Sequence, residues 1–222
     1  MSIAIAIDGP AGAGKSTISK AAAKELGFIY IDTGALYRTV GLAASQRGVE
    51  PVESKEVDEL LESIKVELTF NDKGEQVVLL DGEDVSGLIR TPEASMTASK
   101  ISAIPVVRAY LLDLQRDMAK TNNVIMDGRD IGTVVLPDAE IKIFLTAAPE
   151  ARAKRRYDEL IEKGMDVKYE DILDDVKTRD YNDSHREIAP LKQADDAVLA
   201  DTTNVDLQGS IDLIVSIIKE RM

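Results

Sequence analysis

An apolar run, Ile3-Ala4-Ile5-Ala6-Ile7, leads through Asp8 into Gly9-Pro10-Ala11-Gly12-Ala13-Gly14-Lys15-Ser16, and a helical pattern begins at once with Thr17. A buried strand passing through G-x-x-x-x-G-K-[ST] into a helix leaves few folds open. The glycines let the backbone curl until successive N–H groups face inward, and the helix adds the positive end of its dipole. Such a loop cradles the phosphates of a nucleoside triphosphate. Lys15 is expected at the β- and γ-phosphates, with the Ser16 hydroxyl on a bridging magnesium ion, a hard cation that takes oxygen ligands. The bland alternative is a glycine-rich turn with an exposed lysine, and the flanking strand and helix speak against it.

Thr17 to Leu26 reads as an Ala-rich helix closed by Gly27, and Phe28-Ile29-Tyr30-Ile31 follows as a second short buried strand. Strand, helix, strand at this spacing is a βαβ unit with a parallel sheet. Helical patterns continue at Thr33 to Gln46 and Ser54 to Ile64. The period then changes to two at Val66-Glu67-Leu68-Thr69-Phe70, with turn residues Asn71-Asp72-Lys73-Gly74 and a return through Val77-Val78-Leu79-Leu80. A hairpin interrupting an α/β chain predicts a small inserted subdomain at about 66–90. Helices are expected over Pro92 to Lys120, interrupted at Pro105, then Glu150 to Lys163, Tyr169 to Tyr181 and Asp206 to Lys219. Core strands are expected at Val124-Ile125-Met126, Ile141 to Leu145 and Ala197-Val198-Leu199.

Charge and composition narrow the function. Among 222 residues, Lys+Arg number 27 against 40 Asp+Glu, a formal net charge of -13. That balance repels polyphosphate backbones and argues against nucleic acid or an anionic membrane as partner. No stretch approaches the ~20 apolar residues of a membrane span, and with no basic segment leading into a long apolar core at the start, no export signal is expected. With no cysteine, disulfides and thiolate metal sites are excluded, and a cytoplasmic protein is expected. The one histidine, His185, lies in a polar stretch, so chemistry is expected to run on Lys, Arg, Asp and a metal.

Three further groups carry chemistry. Asp127 follows the strand Val124-Ile125-Met126, where open α/β sheets bind ligands, and is a candidate magnesium aspartate acting through water; a loop-tying or helix-capping carboxylate is the alternative. Arg152, Arg155 and Arg156 fall on one helix with spacings that place them on one side, where they could neutralise a transferring phosphoryl group. A solvated basic face paired with Asp158, Glu159 and Glu162 is the competing reading. Arg179, Asp183 and Arg186 form a stripe if their helix runs that far, suited to a sugar-like anion or, more simply, to an intrahelical Asp–Arg pair.

The segments I-A-I-D-G-P-A-G-A-G-K-S-T from Ile3, I-D-T-G-A-L-Y-R from Ile31 to Arg38, D-G-R-D-I-G-T-V-V from Asp127 to Val135 and R-D-Y-N-D-S-H-R from Arg179 to Arg186 together resemble the bacterial cytidylate kinases, over the whole chain and including the hairpin. The resemblance implies an α/β P-loop kinase core, with a parallel five-stranded sheet flanked by helices. It also implies one domain over 1–222, with a β-containing nucleotide-monophosphate subdomain at about 66–90 and a helical lid at about 152–168. Carried over residue by residue, it places Ser99, Arg108 and Asp130 on cytosine, Arg179 and Asp183 on the ribose, and Arg38, Arg129 and Arg186 on the CMP phosphate, with Asp32 and Thr33 also at the substrate. Thr33 stands where many members carry serine, and both offer a hydroxyl.

The implied reaction is transfer of the γ-phosphoryl group of ATP, with magnesium, to CMP or dCMP. The ATP site is Gly9, Pro10, Ala11, Gly12, Ala13, Gly14, Lys15, Ser16 and Thr17. An acceptor phosphate oxygen is anionic already, so no general base is required. Catalysis then rests on positioning and on charge neutralisation by Lys15, Asp127 with its metal, Arg129 and the arginines at 152, 155 and 156. Rival readings are a kinase of another acceptor such as UMP, and a nucleotide switch without transfer. A monomer is expected.

Overall fold

The computed structural model describes residues 2–222. In chain order the strands are β1 Ala4–Asp8, β2 Ile29–Asp32, β3 Val66–Phe70, β4 Gln76–Leu80, β5 Glu83–Asp84, β6 Val124–Gly128, β7 Ile141–Thr146 and β8 Val198–Asp201. The helices are α1 Lys15–Leu26, α2 Thr33–Gln46, α3 Lys55–Ser63, α4 Pro92–Ile101, α5 Pro105–Thr121, α6 Pro149–Glu162, α7 Tyr169–His185 and α8 Leu207–Lys219. The larger sheet has five strands in the order β2-β6-β1-β7-β8, the smaller three in the order β3-β4-β5. Parallel pairing sets Ile5 opposite Ile141 and Ile7 opposite Ile143, then Ile143 opposite Val198. The α/β class with a five-stranded sheet flanked by helices is therefore present.

The chain forms two compact units, one built on Ile29–Val124 and the other on Ile3–Phe28 with Ile125–Met222. In the first, α2 to α5 and the smaller sheet share one core, with Leu36, Val40, Val57, Ile101, Val107 and Leu111 fully excluded from water. β3 and β4 pair antiparallel, Val66 opposite Leu80 and Phe70 opposite Gln76. The expected hairpin is thus joined by a third short strand, β5, set by the turn at Asp81-Gly82, where both residues have positive φ. Pro105 does double duty: it cannot continue α4, and at the first turn of α5 its missing N–H would have had no helical partner.

In the second unit β1, β6 and β7 are apolar throughout their centres. Ile5, Ala6, Ile7, Ile125 and Met126 are wholly buried, as strands covered on both faces must be. Between β6 and β7 the chain makes one π-helical turn, Ile131–Val135, a feature for which periodicity gave no sign. α6 and α7 pack through Ala153, Leu160 and Ile172, with Tyr157 edge-on to Tyr169.

Helix ends mostly follow the expected residues. Gly27, left-handed at φ 72, returns its N–H to the Ala23 carbonyl, and Asp32 and Asp206 cap α2 and α8 through Ala35 and Gly209 amides. α7 is the exception. It runs past Tyr181 to His185 and stops one residue before Arg186, whose backbone is extended. The Arg179, Asp183, Arg186 stripe is therefore broken at its last member. Among the described residues no helix is long and apolar enough to cross a membrane.

Candidate active site

The phosphate loop is built from the backbone inward. Gly9 lies against the next strand so closely that a Cβ there would sit 1.9 Å from the Leu145 carbonyl oxygen, a position open to no other residue. Gly12 and Gly14 take φ of 74 and 85, the second as the residue from which α1 departs. Lys15 opens α1 and folds back over the loop, donating from Nζ to the Pro10 carbonyl at 2.8 Å, and is only 6% exposed. Burial, with Arg129 adding, pushes its pKa down to about 7 against the pull of Asp127, Asp8 and Asp183. The exposed-lysine reading is excluded by that burial.

Ser16 Oγ donates to Asp127 Oδ2 at 2.9 Å, and Asp127 is 2% exposed within β6. Two hard oxygens thus meet beside Lys15 at the loop. Asp127 lies within β6, which continues to Gly128. Among the described residues no three acidic or His side chains cluster as a self-sufficient metal site.

Past β6, Arg129 donates from Nε to Asp183 Oδ2 at 2.9 Å, and Asp183 is buried on α7. The intrahelical pair weighed for Asp183 is therefore replaced by a contact across 54 residues of sequence. Arg186 Nη2 lies 3.6 Å from Asp130 Oδ1, and its Nε donates to the carbonyl of Ala189, a residue with left-handed φ 48. So Arg129, Asp130, Asp183 and Arg186 form one charged cluster. Arg179 contributes a half-buried side chain to the same helix.

The arginines of α6 do not share a patch. Arg152 is 2% exposed and donates to the Ala147 and Ala11 carbonyls, at 2.8 and 2.9 Å, and to both oxygens of Asp180. Arg155 donates to the Thr202 carbonyl at 2.6 Å, while Arg156 pairs with Glu159 on the helix surface. Spacing put all three on one helix, but each found the nearest acceptor in its own direction. The surface pairing weighed for the whole group holds for Arg156 alone.

In the first unit Asp32 works twice: Oδ1 caps α2 and Oδ2 holds Arg38 Nη2 at 2.6 Å. Gly34 makes this possible, since a Cβ there would stand 3.0 Å from an Arg38 nitrogen. Gln76 of β4 clamps the Asp32 main chain on both sides, accepting from its N–H at 2.7 Å and donating to its carbonyl. Thr33, next along, is buried. Arg108 lies over the Tyr37 ring at 5.7 Å from its centre and donates to the Ser102 carbonyl, one turn on from the half-buried Ser99.

A family profile described as cytidylate kinase matches residues 5–220. The chain belongs to the cytidylate kinase family. It is 52% identical to the cytidylate kinase of Caldicellulosiruptor bescii over 99% of both chains, and 55% identical to that of Caldicellulosiruptor saccharolyticus over 93% of this chain and 91% of the other. In structure it is similar, with a TM-score of 0.54 and 16% identity over the full length of both, to an uncharacterized protein from Eubacterium ventriosum, which bears on the fold alone. Within this family member, sequence reasoning overlooked Asp8, Gln76 and Asp180. Asp8 carried the clearest signal, being a carboxylate that ends an apolar strand one residue before the loop.

Proposed function

We infer that this chain is a (d)CMP kinase, transferring the γ-phosphoryl group of ATP to CMP or dCMP to give ADP and CDP or dCDP. The observation that carries the reading is the family match over residues 5–220, which takes in the phosphate loop and every acceptor-side residue named above. The name borne by the relatives favours CMP over UMP as acceptor.

Lys15 and the inward amides of Ala11 to Thr17 bind the donor triphosphate, with Gly9 and Pro10 shaping the loop. Ser16 and Asp127, whose oxygens meet at the loop, would hold a magnesium ion, the serine directly and the carboxylate through water, and the ion would supply charge neutralisation. Arg38, Arg129 and Arg186 take the acceptor phosphate. Asp32 and Asp183 preset two of these guanidinium groups, so less side-chain freedom is lost on binding. Arg179 and Asp183 take the ribose, and Thr33 lies beside the acceptor. Ser99, Arg108 and Asp130 read the base: cytosine presents an N4 amino donor to the Asp130 carboxylate, where uracil would present a repelled O4.

The attacking phosphate oxygen needs no base, so the protein's part is alignment and electrostatics. Arg152 acts through the loop, whose Ala11 carbonyl it holds, and Arg155 and Arg156 belong to the lid assigned to about 152–168. The segment at about 66–90 is assigned to the acceptor subdomain. A cytoplasmic monomer completes the reading.

Release of ADP measured with CMP, dCMP, UMP and AMP tests the acceptor. CMP should lead; equal or better turnover of UMP would overturn the assignment. Asp130→Asn tests the base reader, because the amide brings a donor that suits uracil O4. Its CMP:UMP ratio of kcat/KM should fall ~10-fold or more, equivalent to ~1.4 kcal/mol of discrimination, whereas an unchanged ratio removes Asp130 from the base.

A further inference from the structure

Asp8 is a buried carboxylate that the mechanism above does not use. It ends β1 one residue before the phosphate loop and is 4% exposed. Its two oxygens take two successive main-chain amides, Oδ1 from Ile131 N and Oδ2 from Gly132 N, each at 2.7 Å. The first of those amides is half of the peptide bond that joins Asp130 to Ile131. The other half, the Asp130 carbonyl, accepts from Val134 N at 2.9 Å and Val135 N at 3.2 Å as the π-helical turn closes. Asp8 therefore grips one edge of the Asp130–Ile131 peptide plane while the turn grips the other, which sets the direction in which the Asp130 side chain leaves the backbone.

Two observations bear on what this grip does. Burial outweighs both amide bonds and Lys15, pushing the Asp8 pKa up to about 6 with Asp130 adding to the rise, so a charged Asp8 costs folding free energy. The fit is also tight from the far side. A Cβ on Gly132 would crowd Lys142 Cδ at 3.2 Å and come into contact with Asp8 Oδ2 at 3.4 Å, so a side chain there would press on the turn beside the carboxylate.

We propose that Asp8 is a positioning residue for acceptor-base selection, holding the Asp130–Gly132 main chain so that the Asp130 carboxylate is aimed at the exocyclic amine of a cytosine nucleotide. The proposal rests on the assignment of Asp130 to the base. It makes Asp8 act on the acceptor although it is covalently next to the donor loop.

The test uses the full-length enzyme as Asp8→Asn, Gly132→Ala, Asp130→Asn and the Asp8→Asn/Asp130→Asn double variant, assayed on CMP and UMP at varied ATP. An asparagine at position 8 accepts one amide and turns its own N–H groups on the other, so the turn loses its two-point hold. The CMP:UMP ratio of kcat/KM should fall ~5-fold or more, chiefly through KM for CMP, with KM for ATP within ~2-fold of the wild type. Gly132→Ala should move the ratio in the same direction, and it decides alone if Asp8→Asn does not fold. In the double variant the ratio should match that of Asp130→Asn, since a residue acting only through another adds nothing once the other is gone. An unchanged ratio in Asp8→Asn, or additive losses in the double variant, overturns the proposal while leaving the Asp130 reading intact. A loss confined to KM for ATP overturns it in favour of a donor-loop role. If Asp130→Asn itself leaves the ratio unchanged, the base reading fails and the positioning role falls with it.

Discussion

Replacing Asp8 by asparagine and following unfolding across pH measures what it costs to bury that carboxylate. Its pKa rises from the ordinary 3.8 to about 6, with burial the main cause, Asp130 adding to it, and the Ile131 and Gly132 amides and Lys15 opposing it. A folded-state pKa above the unfolded one means that the folded protein binds the proton more tightly. The penalty is therefore complete above the folded pKa, at neutral pH, and shrinks as pH falls toward the unfolded value. At ~1.4 kcal/mol per pK unit, the full difference is ~3 kcal/mol, of which roughly 1.4 is recovered by pH 5 and roughly 2.4 by pH 4. Asparagine does not titrate, so these amounts appear in the difference between the two proteins, from which the other carboxylates largely cancel. Urea unfolding of wild type and Asp8→Asn at pH 7.5 and pH 5 is the assay. The wild type should gain ~1.4 kcal/mol relative to the variant over that interval. A difference that stays constant, or moves in the variant's favour on acidification, would refute the reasoning.

Lys15→Ala should lose most turnover, because its charge matters most where negative charge gathers on the transferring group, yet thermal melting should not fall, since burial already disfavours the lysine's charge and offsets its hydrogen bond to the Pro10 carbonyl. Melts that drop with activity would make Lys15 a structural residue. Asp183→Ala should lower kcat/KM for both CMP and dCMP, because Arg129 loses its partner, and lower it further for CMP, which alone offers a 2′-hydroxyl. Equal losses on the two would reduce Asp183 to an anchor for Arg129.

The phosphate loop could be read from the sequence because it is one contiguous segment, and its geometry follows from glycine, lysine and serine at fixed offsets. The strands and most helix limits were readable for a similar reason. Their hydrophobic period, Gly27 at the end of α1 and Pro105 at the start of α5 act within a turn or two of chain. Even the hairpin of the first unit announced itself through alternation and the turn at Asn71 to Gly74, whereas the third strand β5 is too short to have a period at all.

Partners chosen at long range were another matter. That Arg152, Arg155 and Arg156 share a helix is a property of spacing. That Arg152 ends on Ala11 and Asp180 while Arg155 ends on the Thr202 carbonyl depends on which acceptors the folded chain brings within reach. Asp183 looked able to pair along its own helix and instead holds Arg129, because α7 turns that face toward the segment after β6. Asp8 looked like the last residue of a strand and became the anchor of a turn more than a hundred residues away. Hydrophobic period and loop chemistry are local and additive, so the amino-acid order alone determined the elements and the donor loop. A buried charge takes whichever partner relieves its desolvation, so only the tertiary structure could decide how the charged residues are shared.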